Sequence, residues 1–364
     1  MRRVLAMAIV RIAAIILPAS HRDWSRAMVA ELAAIERPGA ALAFALGCLG
    51  AALKQAVSVF SPTRGRALGI LCAIGAVGLG WAYLIAAGAP LSHLVLNGAA
   101  LAIGLLAIGI LRDAGRIWRA MGGGIMVALA GIILLTSLFG ISASGVTRWL
   151  AVGGVMLQPA LILVPVITLG FARAPGRASL LAVLITAAGV ALQPDRAMAG
   201  ALAAGMAALA FYRPGPAVLV ALAAAIAAFA ATLAQADASP AMPFVDQIFF
   251  SSFGVHPLAG LAVLAGAALL LLPAIAGARR DADNRPIHLL FFMVWFGVIL
   301  AAALGNHPTP LVGYGGSAIL GYLLSLLALP PYVEGRIAGQ SRAPGEPESG
   351  AAGPDLRASL TLAG

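Results

Sequence analysis

Charge is scarce in this sequence. Asp, Glu, Lys and Arg make up 10% of the 364 residues and hydrophobic side chains 62%, whereas a soluble domain carries roughly a quarter charged and half apolar. That supply cannot cover a water-exposed globule, so the chain reads as a polytopic membrane protein. Cysteine is nearly absent as well. Cys48 and Cys72 lie in apolar surroundings without metal-ligand spacing, which suits a small core filler better than a disulfide or a metal site. No Walker loop, dinucleotide fingerprint, H-E-x-x-H helix or clustered Cys/His set occurs. ATP-driven transport, redox and metalloprotease chemistry therefore have no local support.

Long apolar runs are what the chain has instead. A bilayer-spanning helix needs about 20 mostly apolar residues, and the runs 67–88, 91–111, 121–141, 156–172, 179–195, 196–212, 217–236, 258–278, 287–305 and 316–333 answer to that. The expected fold is all-α, a bundle of about ten transmembrane helices. A formal charge of +10 would suit nucleic acid, but the positions of the basic residues argue otherwise. With the amino terminus in the cytoplasm, Arg112, Arg116, Arg119, Arg173, Arg177, Arg213, Arg279, Arg280 and Arg285 fall in cytoplasmic loops, with everything before Arg66 and after Arg336. Only Arg148 and Arg196 fall outside, as the positive-inside rule expects. The charge reports topology in a cytoplasmic membrane, with both termini inside, and calls for no nucleic-acid partner.

Residues 1–60 form a prefix to a transmembrane domain at 61–335. The run from Met1 to Pro18 is interrupted by Arg11 and has no clean cleavage pattern, unlike a signal peptide. Ser20 with Asp23 reads as a capping box for an amphipathic helix with Trp24, Met28, Leu32 and Ile35 on one stripe, ending before Arg37-Pro38-Gly39. It is expected on the cytoplasmic membrane face or on the protein itself. Residues 40–53 suit an interfacial segment or an extra membrane helix. The tail at 336–364, rich in Gly, Pro, Ser and charge, is expected to be disordered in the cytoplasm. His93 reads as hydrogen-bonded packing, His288 as interfacial and Trp295 as packed. The Arg279 to Arg285 loop reads as a solvated turn.

Four stretches carry polar groups at the outer side. Gly305-Asn306-His307-Pro308-Thr309-Pro310-Leu311-Val312-Gly313-Tyr314-Gly315-Gly316-Ser317 has prolines that exclude a regular helix and glycines that supply positive φ and backbone N–H groups, so it is a shaped loop. Composition alone supports no more than a helix connection. Arg148-Trp149 suits an aromatic belt at a membrane interface. Leu192-Gln193-Pro194-Asp195 before Arg196 reads as a tight turn with a neutralised Asp–Arg pair. Asp246, beside an embedded apolar stretch, is costly to bury and so a candidate functional group.

The order of these stretches resembles the SEDS family (shape, elongation, division and sporulation; the FtsW/RodA/SpoVE group). Pro308 to Ser317 resembles P-x-P-hydrophobic-x-S-Y-G-G-S. Arg148-Trp149 followed by Gln158-Pro159 resembles R-W-I-x-x-G and Q-P-S-E. Leu192 to Asp195 matches L-Q-P-D, and Asp246-Gln247-Ile248-Phe249 resembles T-D-F-I-F-A, whose Asp the family uses in glycan polymerisation. The departures are specific. Ala160 and Leu161 stand where the family has Ser and Glu, and Arg196-Ala197 replace Leu-Gly. Gly254-Val255-His256-Pro257 replaces E-E-L-G. Only 51 positions separate Asp195 from Asp246, so the family's large outer loop is missing.

The resemblance implies a membrane protein of cell division, cell shape and peptidoglycan synthesis. In it Asp246 would act as general base while one lipid II molecule attacks another, with undecaprenyl diphosphate leaving. A carboxylate in a partly desolvated site suits that role. Arg148 would stabilise the leaving phosphate. Gln158, Gln193, Asp195, Tyr314, Gly315, Gly316 and Ser317 are the further substrate-binding candidates, and His256 and His307 complete the polar groups at that side. The resemblance implies a lipid-linked peptidoglycan precursor and a class B penicillin-binding protein as partners. No cofactor is expected, and use of a divalent cation is not legible in the sequence. The lost Ser, Glu and outer loop equally suit a non-catalytic scaffold for cell-wall synthesis partners. A small-molecule transporter has less support, for no inverted repeat is visible.

Overall fold

A computed structural model describes residues 2–16, 22–59, 64–111, 123–143, 145–235 and 240–330. Ser20 of the expected capping box, Arg112, Arg116 and Arg119, Asp237 to Ser239 and the expected tail at 336–364 lie outside the described residues.

The prefix folds into three helices, Arg2–Ile16 (α1), Arg22–Ala34 (α2) and Pro38–Val59 (α3). They share an apolar core of their own, built from Ala6, Val10, Ala13, Met28, Leu32, Ala41, Ala45, Cys48 and Ala52. Small side chains dominate, which lets α1 and α3 approach closely. Of the expected stripe on α2, Met28 and Leu32 are buried and Ile35 packs at the margin, but Trp24 is 51% exposed. Arg3 donates to the carbonyls of Ala33 and Ile35, satisfying acceptors at the end of α2.

The remaining helices form a polytopic membrane bundle. In chain order they are Arg64–Ala86 (α4), Leu91–Ile110 (α5), Gly124–Phe139 (α6), Pro159–Arg173 (α7), Arg177–Leu192 (α8), Arg196–Tyr212 (α9), Pro216–Leu233 (α10), Ile248–Val255 (α11), Pro257–Leu269 (α12), Leu272–Arg280 (α13), Arg285–Leu304 (α14) and Gly316–Ala328 (α15). Arg66–Ala86, Leu91–Ile110, Pro216–Leu233, Pro257–Arg280 and Arg285–Leu304 are long and apolar enough to cross a membrane, and α6 to α9 and α15 are shorter apolar helices.

Helix α7 is the axis of the bundle. It is buried almost throughout and packs against α6, α8, α9, α14 and α15. Gly321 lets α15 cross it closely, since a Cβ there would lie 2.3 Å from the Leu161 carbonyl oxygen. Beside this crossing, Phe291, Trp295 and Tyr322 form a fully buried aromatic cluster, with Trp295 and Tyr322 centroids 5.2 Å apart. Edge-to-face packing of this kind stabilises beyond simple burial.

The structure refines three expectations without changing the fold class. The run at 258–278 remains one stretch long enough to cross a membrane, but its helix is interrupted at Leu270 and Leu271 between α12 and α13, where Pro273 lacks an N–H to continue the ladder. The Tyr322 hydroxyl donates to the Leu270 carbonyl at that break (3.1 Å). His288 is not interfacial but 1% exposed. A Cβ on Gly277 would lie 2.3 Å from its ring, so glycine lets α13 close over it. Nor is the chain helical throughout. Ile141–Ala143 (β1), Val146–Val152 (β2) and Val155–Leu157 (β3) form an antiparallel sheet in the order β1-β2-β3, occupying the expected start of the 156–172 span.

The bundle has two unlike ends. At the basic end, Arg66 donates to the carbonyls of Leu326 and Leu327, and Arg173 to that of Ala328. The last carbonyls of a helix lack intrahelical partners, so these two guanidiniums cap α15. Arg213 likewise donates to the Asp283 carbonyl (2.7 Å). The other end holds Arg148, Asp246 and the sheet.

Candidate functional site

Strand β2 brings the first polar group into place. The Gly153 and Gly154 turn between β2 and β3 has φ of 58° and 82°. Two successive left-handed residues match the twist of a tight hairpin, and glycine adopts them without strain. Alternation along β2 buries Val146 and Arg148 (3% and 4% exposed) while Thr147 and Trp149 stay partly exposed. Arg148 donates through Nε to the Gln193 carbonyl (3.0 Å) and through Nη2 to that of Pro194. A buried guanidinium thus clamps the turn between α8 and α9.

That turn holds the second group. Asp195 is fully buried, caps α9 by accepting from the Met198 N–H (3.1 Å), and accepts from Gln158 Nε2 (2.8 Å). The expected Asp195–Arg196 pair does not form. Arg196 turns instead to the carbonyls of Thr232 and Gln235 at the end of α10, because one side chain of the turn must point inward to cap and the other points away. Gln193 donates to the Ile133 carbonyl (2.9 Å), and the Gln158 N–H donates to Ser317 Oγ (2.9 Å). Gln158 therefore ties the α8–α9 turn to the start of α15.

Two loops brace one another around the third group. Phe244 (φ 63°) and Gln247 (φ 57°) flank Val245-Asp246 in the left-handed region. For residues with side chains this costs on the order of 1–2 kcal/mol each, so the surroundings must impose it. They do so through the loop at 305–315. Asp246 forms a β-bridge with Pro308, the Thr309 N–H donates to the Val245 carbonyl (2.9 Å), and the Tyr314 N–H to the Phe244 carbonyl (2.7 Å). Asp246 Oδ2 accepts from the Met242 N–H (2.8 Å), and Gln247 Nε2 donates to Asn306 Oδ1 (2.6 Å).

The second loop is in turn anchored to the bundle. Buried Asn97 on α5 donates to the Gly313 carbonyl (2.9 Å) and accepts from the Gly315 N–H (3.0 Å). Gly80 on α4 admits the loop, since a Cβ there would lie 2.6 Å from the Val312 oxygen. His93 stacks on Tyr314 (3.8 Å, 17°) and meets Phe244 edge-on. Its contribution is ring packing. The N–H groups of Gly313, Tyr314 and Gly315 are all engaged within the chain, so the loop acts as a brace for Asp246.

A cleft of about 90 Å³ opens between these parts, lined among others by Arg148, Trp149, Gln158, Leu161, Asp246 and His307. Three of the candidates, Arg148, Gln158 and Asp246, thus meet on one cleft. Gln193 and Asp195 are fully buried and do not line it, nor do Tyr314, Gly315, Gly316 and Ser317. His256 caps α12 through the Leu258 N–H and does not line the cleft. Asn97 and Asn306 join the site although neither was among the sequence candidates. A lone Asn in an apolar run was the available signal for the first, since a polar group at membrane depth needs partners. Among the described residues no three His, Cys, Asp or Glu side chains gather closely enough to hold a metal ion.

No family model and no curated protein matches the chain. Solved structures do. The rod shape determining protein RodA of Thermus thermophilus is 23% identical, with 71% of this chain and 93% of that chain covered and a TM-score of 0.51. An aspartate-to-alanine mutant of the same protein is 24% identical, with 71% and 94% covered and the same TM-score. The chain is thus a polytopic membrane helix bundle whose fold is similar to that of RodA.

Proposed function

We propose that this protein is a divergent SEDS-like protein of the cytoplasmic membrane that acts on a lipid-linked peptidoglycan precursor, with Asp246 as general base. The observation that carries the reading is the meeting of Asp246, Arg148 and Gln158 on one cleft at a single end of the bundle. The sheet and both braced loops are built around that cleft. In the reaction, Asp246 takes the proton of a sugar hydroxyl on one lipid II molecule as that oxygen attacks the anomeric carbon of another. The bond from that carbon to the diphosphate breaks, and undecaprenyl diphosphate leaves with the electron pair. Arg148 supplies positive charge on the same cleft. A class B penicillin-binding protein is the partner this reading implies, and the Arg148 end faces away from the cytoplasm.

Purified protein with lipid II tests it. Wild type forms glycan strands, and Asp246→Asn inserts and unfolds like wild type but polymerises about 100-fold to 10,000-fold more slowly, the range for loss of a general base. Wild type that fails to polymerise overturns the catalytic reading.

One observation favours a non-catalytic scaffold. Leu161 lines the cleft and Ala160 is buried beside it, so apolar side chains stand where the family carries Ser and Glu. In that case capture of cell-wall synthesis partners is unchanged in Asp246→Asn.

A further inference from the structure

At the basic end a second opening lies between α13 and α14, remote from the cleft. This groove of about 460 Å³ is walled by Ile275, Ala278, Leu289 and Phe292, with Arg279 and Arg285 at its mouth. The apolar wall continues along α14. Phe292 stacks on Phe296 (5.7 Å, 14°), and Phe296 and Leu300 are exposed at 38% and 43%. Positions 285, 289, 292, 296 and 300 recur at helical spacing, so they lie on one face. A guanidinium thus sits at the membrane boundary with an apolar strip running from it along a membrane-spanning helix.

Among the described residues nothing neutralises the charge at the mouth. Arg279 and Arg285 are both exposed, and among the described residues neither makes an ion pair. Arg285 is oriented by its Nε, which donates to the Ala278 carbonyl (3.1 Å). Of the nearby carboxylates, Asp281 accepts from the Asn284 backbone and side chain (3.2 and 2.9 Å) and lies 3.8 Å from the His288 ring. Asp283 is exposed in the same loop, and its carbonyl accepts from Arg213.

We propose that this groove binds an anionic glycerophospholipid of the leaflet that meets the basic end. The phosphate sits between Arg279 and Arg285, whose planar guanidiniums match phosphate oxygens. One acyl chain follows Leu289, Phe292 and Phe296. A zwitterionic lipid fills the same walls but brings a compensating cation to the mouth, and a soluble phosphate meets the arginines and leaves the walls bare.

The test uses the full chain in mild detergent, with native mass spectrometry of lipid retention at graded lipid concentration. Wild type retains phosphatidylglycerol in clear preference to phosphatidylcholine of the same chains. Arg279→Gln, at a side chain with no hydrogen bond or ion pair among the described residues, weakens phosphatidylglycerol several-fold, and the double variant with Arg285→Gln weakens it about thirty-fold. Phe292→Ala weakens both lipids. Arg177→Gln, an exposed arginine at the start of α8, leaves retention unchanged. Equal retention of the two lipids by wild type overturns the proposal, as does an Arg177→Gln loss equal to that of Arg279→Gln. So does glycerol phosphate that competes as well as phosphatidylglycerol, which would mark a site for a soluble anion.

Discussion

Arg148 and the arginines of the basic end are used in opposite ways. At the basic end, Arg66, Arg173 and Arg213 reach to backbone carbonyls at helix ends and loops from partly or fully exposed positions. At the other end, Arg148 is 4% exposed and bonds two successive carbonyls of one turn. An exposed guanidinium keeps much of its hydration, so removing it exchanges one set of partners for water. A buried one leaves its acceptors with nothing. Polar side chains at the basic end therefore trim stability, while those at the Arg148 end hold a shape.

This contrast can be broken or sharpened by substitution. The largest effect is on chemistry: Asp246→Asn is expected to abolish nearly all lipid II polymerisation with little change in thermal unfolding. An equal fall in stability would make Asp246 another structural member of its loop. Next comes Gln158→Leu, which strips the donor from the buried Asp195 carboxylate and the side-chain link between two turns. We expect a loss of about 3 kcal/mol in detergent unfolding, the upper range for an unanswered buried polar group. Arg148→Lys keeps the charge but not the fork that spans Gln193 and Pro194, and is expected to destabilise by about 1–2 kcal/mol. The smallest change is Arg173→Ala, expected to cost under about 1 kcal/mol, as for a capping contact near a surface. A loss from Arg173→Ala as large as from Arg148→Lys would erase the distinction between the ends.

Much of the architecture was legible because lipid imposes simple demands. Each span must satisfy its own backbone, so apolar runs of about 20 residues announce helices. The break between α12 and α13 was missed although Pro273 was in view, since apolar composition continues across it. The β2–β3 hairpin was missed for a different reason. Val146 to Leu157 carries the β-branched residues and the Gly-Gly pair of a tight hairpin, but a neighbouring apolar helix absorbed its last residues in a count of hydrophobicity. His288 follows a charged loop in sequence, and its burial depends on the close approach that Gly277 on the facing helix allows.

The site was partly legible. Asp246 was a candidate from its place beside an embedded apolar stretch as well as from motif order, Arg148 and Gln158 from motif order, and the three share a cleft. That Asp195 would turn to Gln158 and not to Arg196 was not legible, because the two are adjacent in sequence and 37 positions separate Asp195 from Gln158. The partners of Asn97 were illegible for the same reason, as Gly313 and Gly315 lie more than 200 positions away.

Composition and the spacing of apolar runs by themselves determined the membrane class and the helical bundle, because both follow from what a local segment must satisfy in lipid. Only the tertiary structure decided which polar groups are buried braces and which face the cleft. Hydrogen bonding and burial depend on what a distant segment brings alongside, and no local pattern records that.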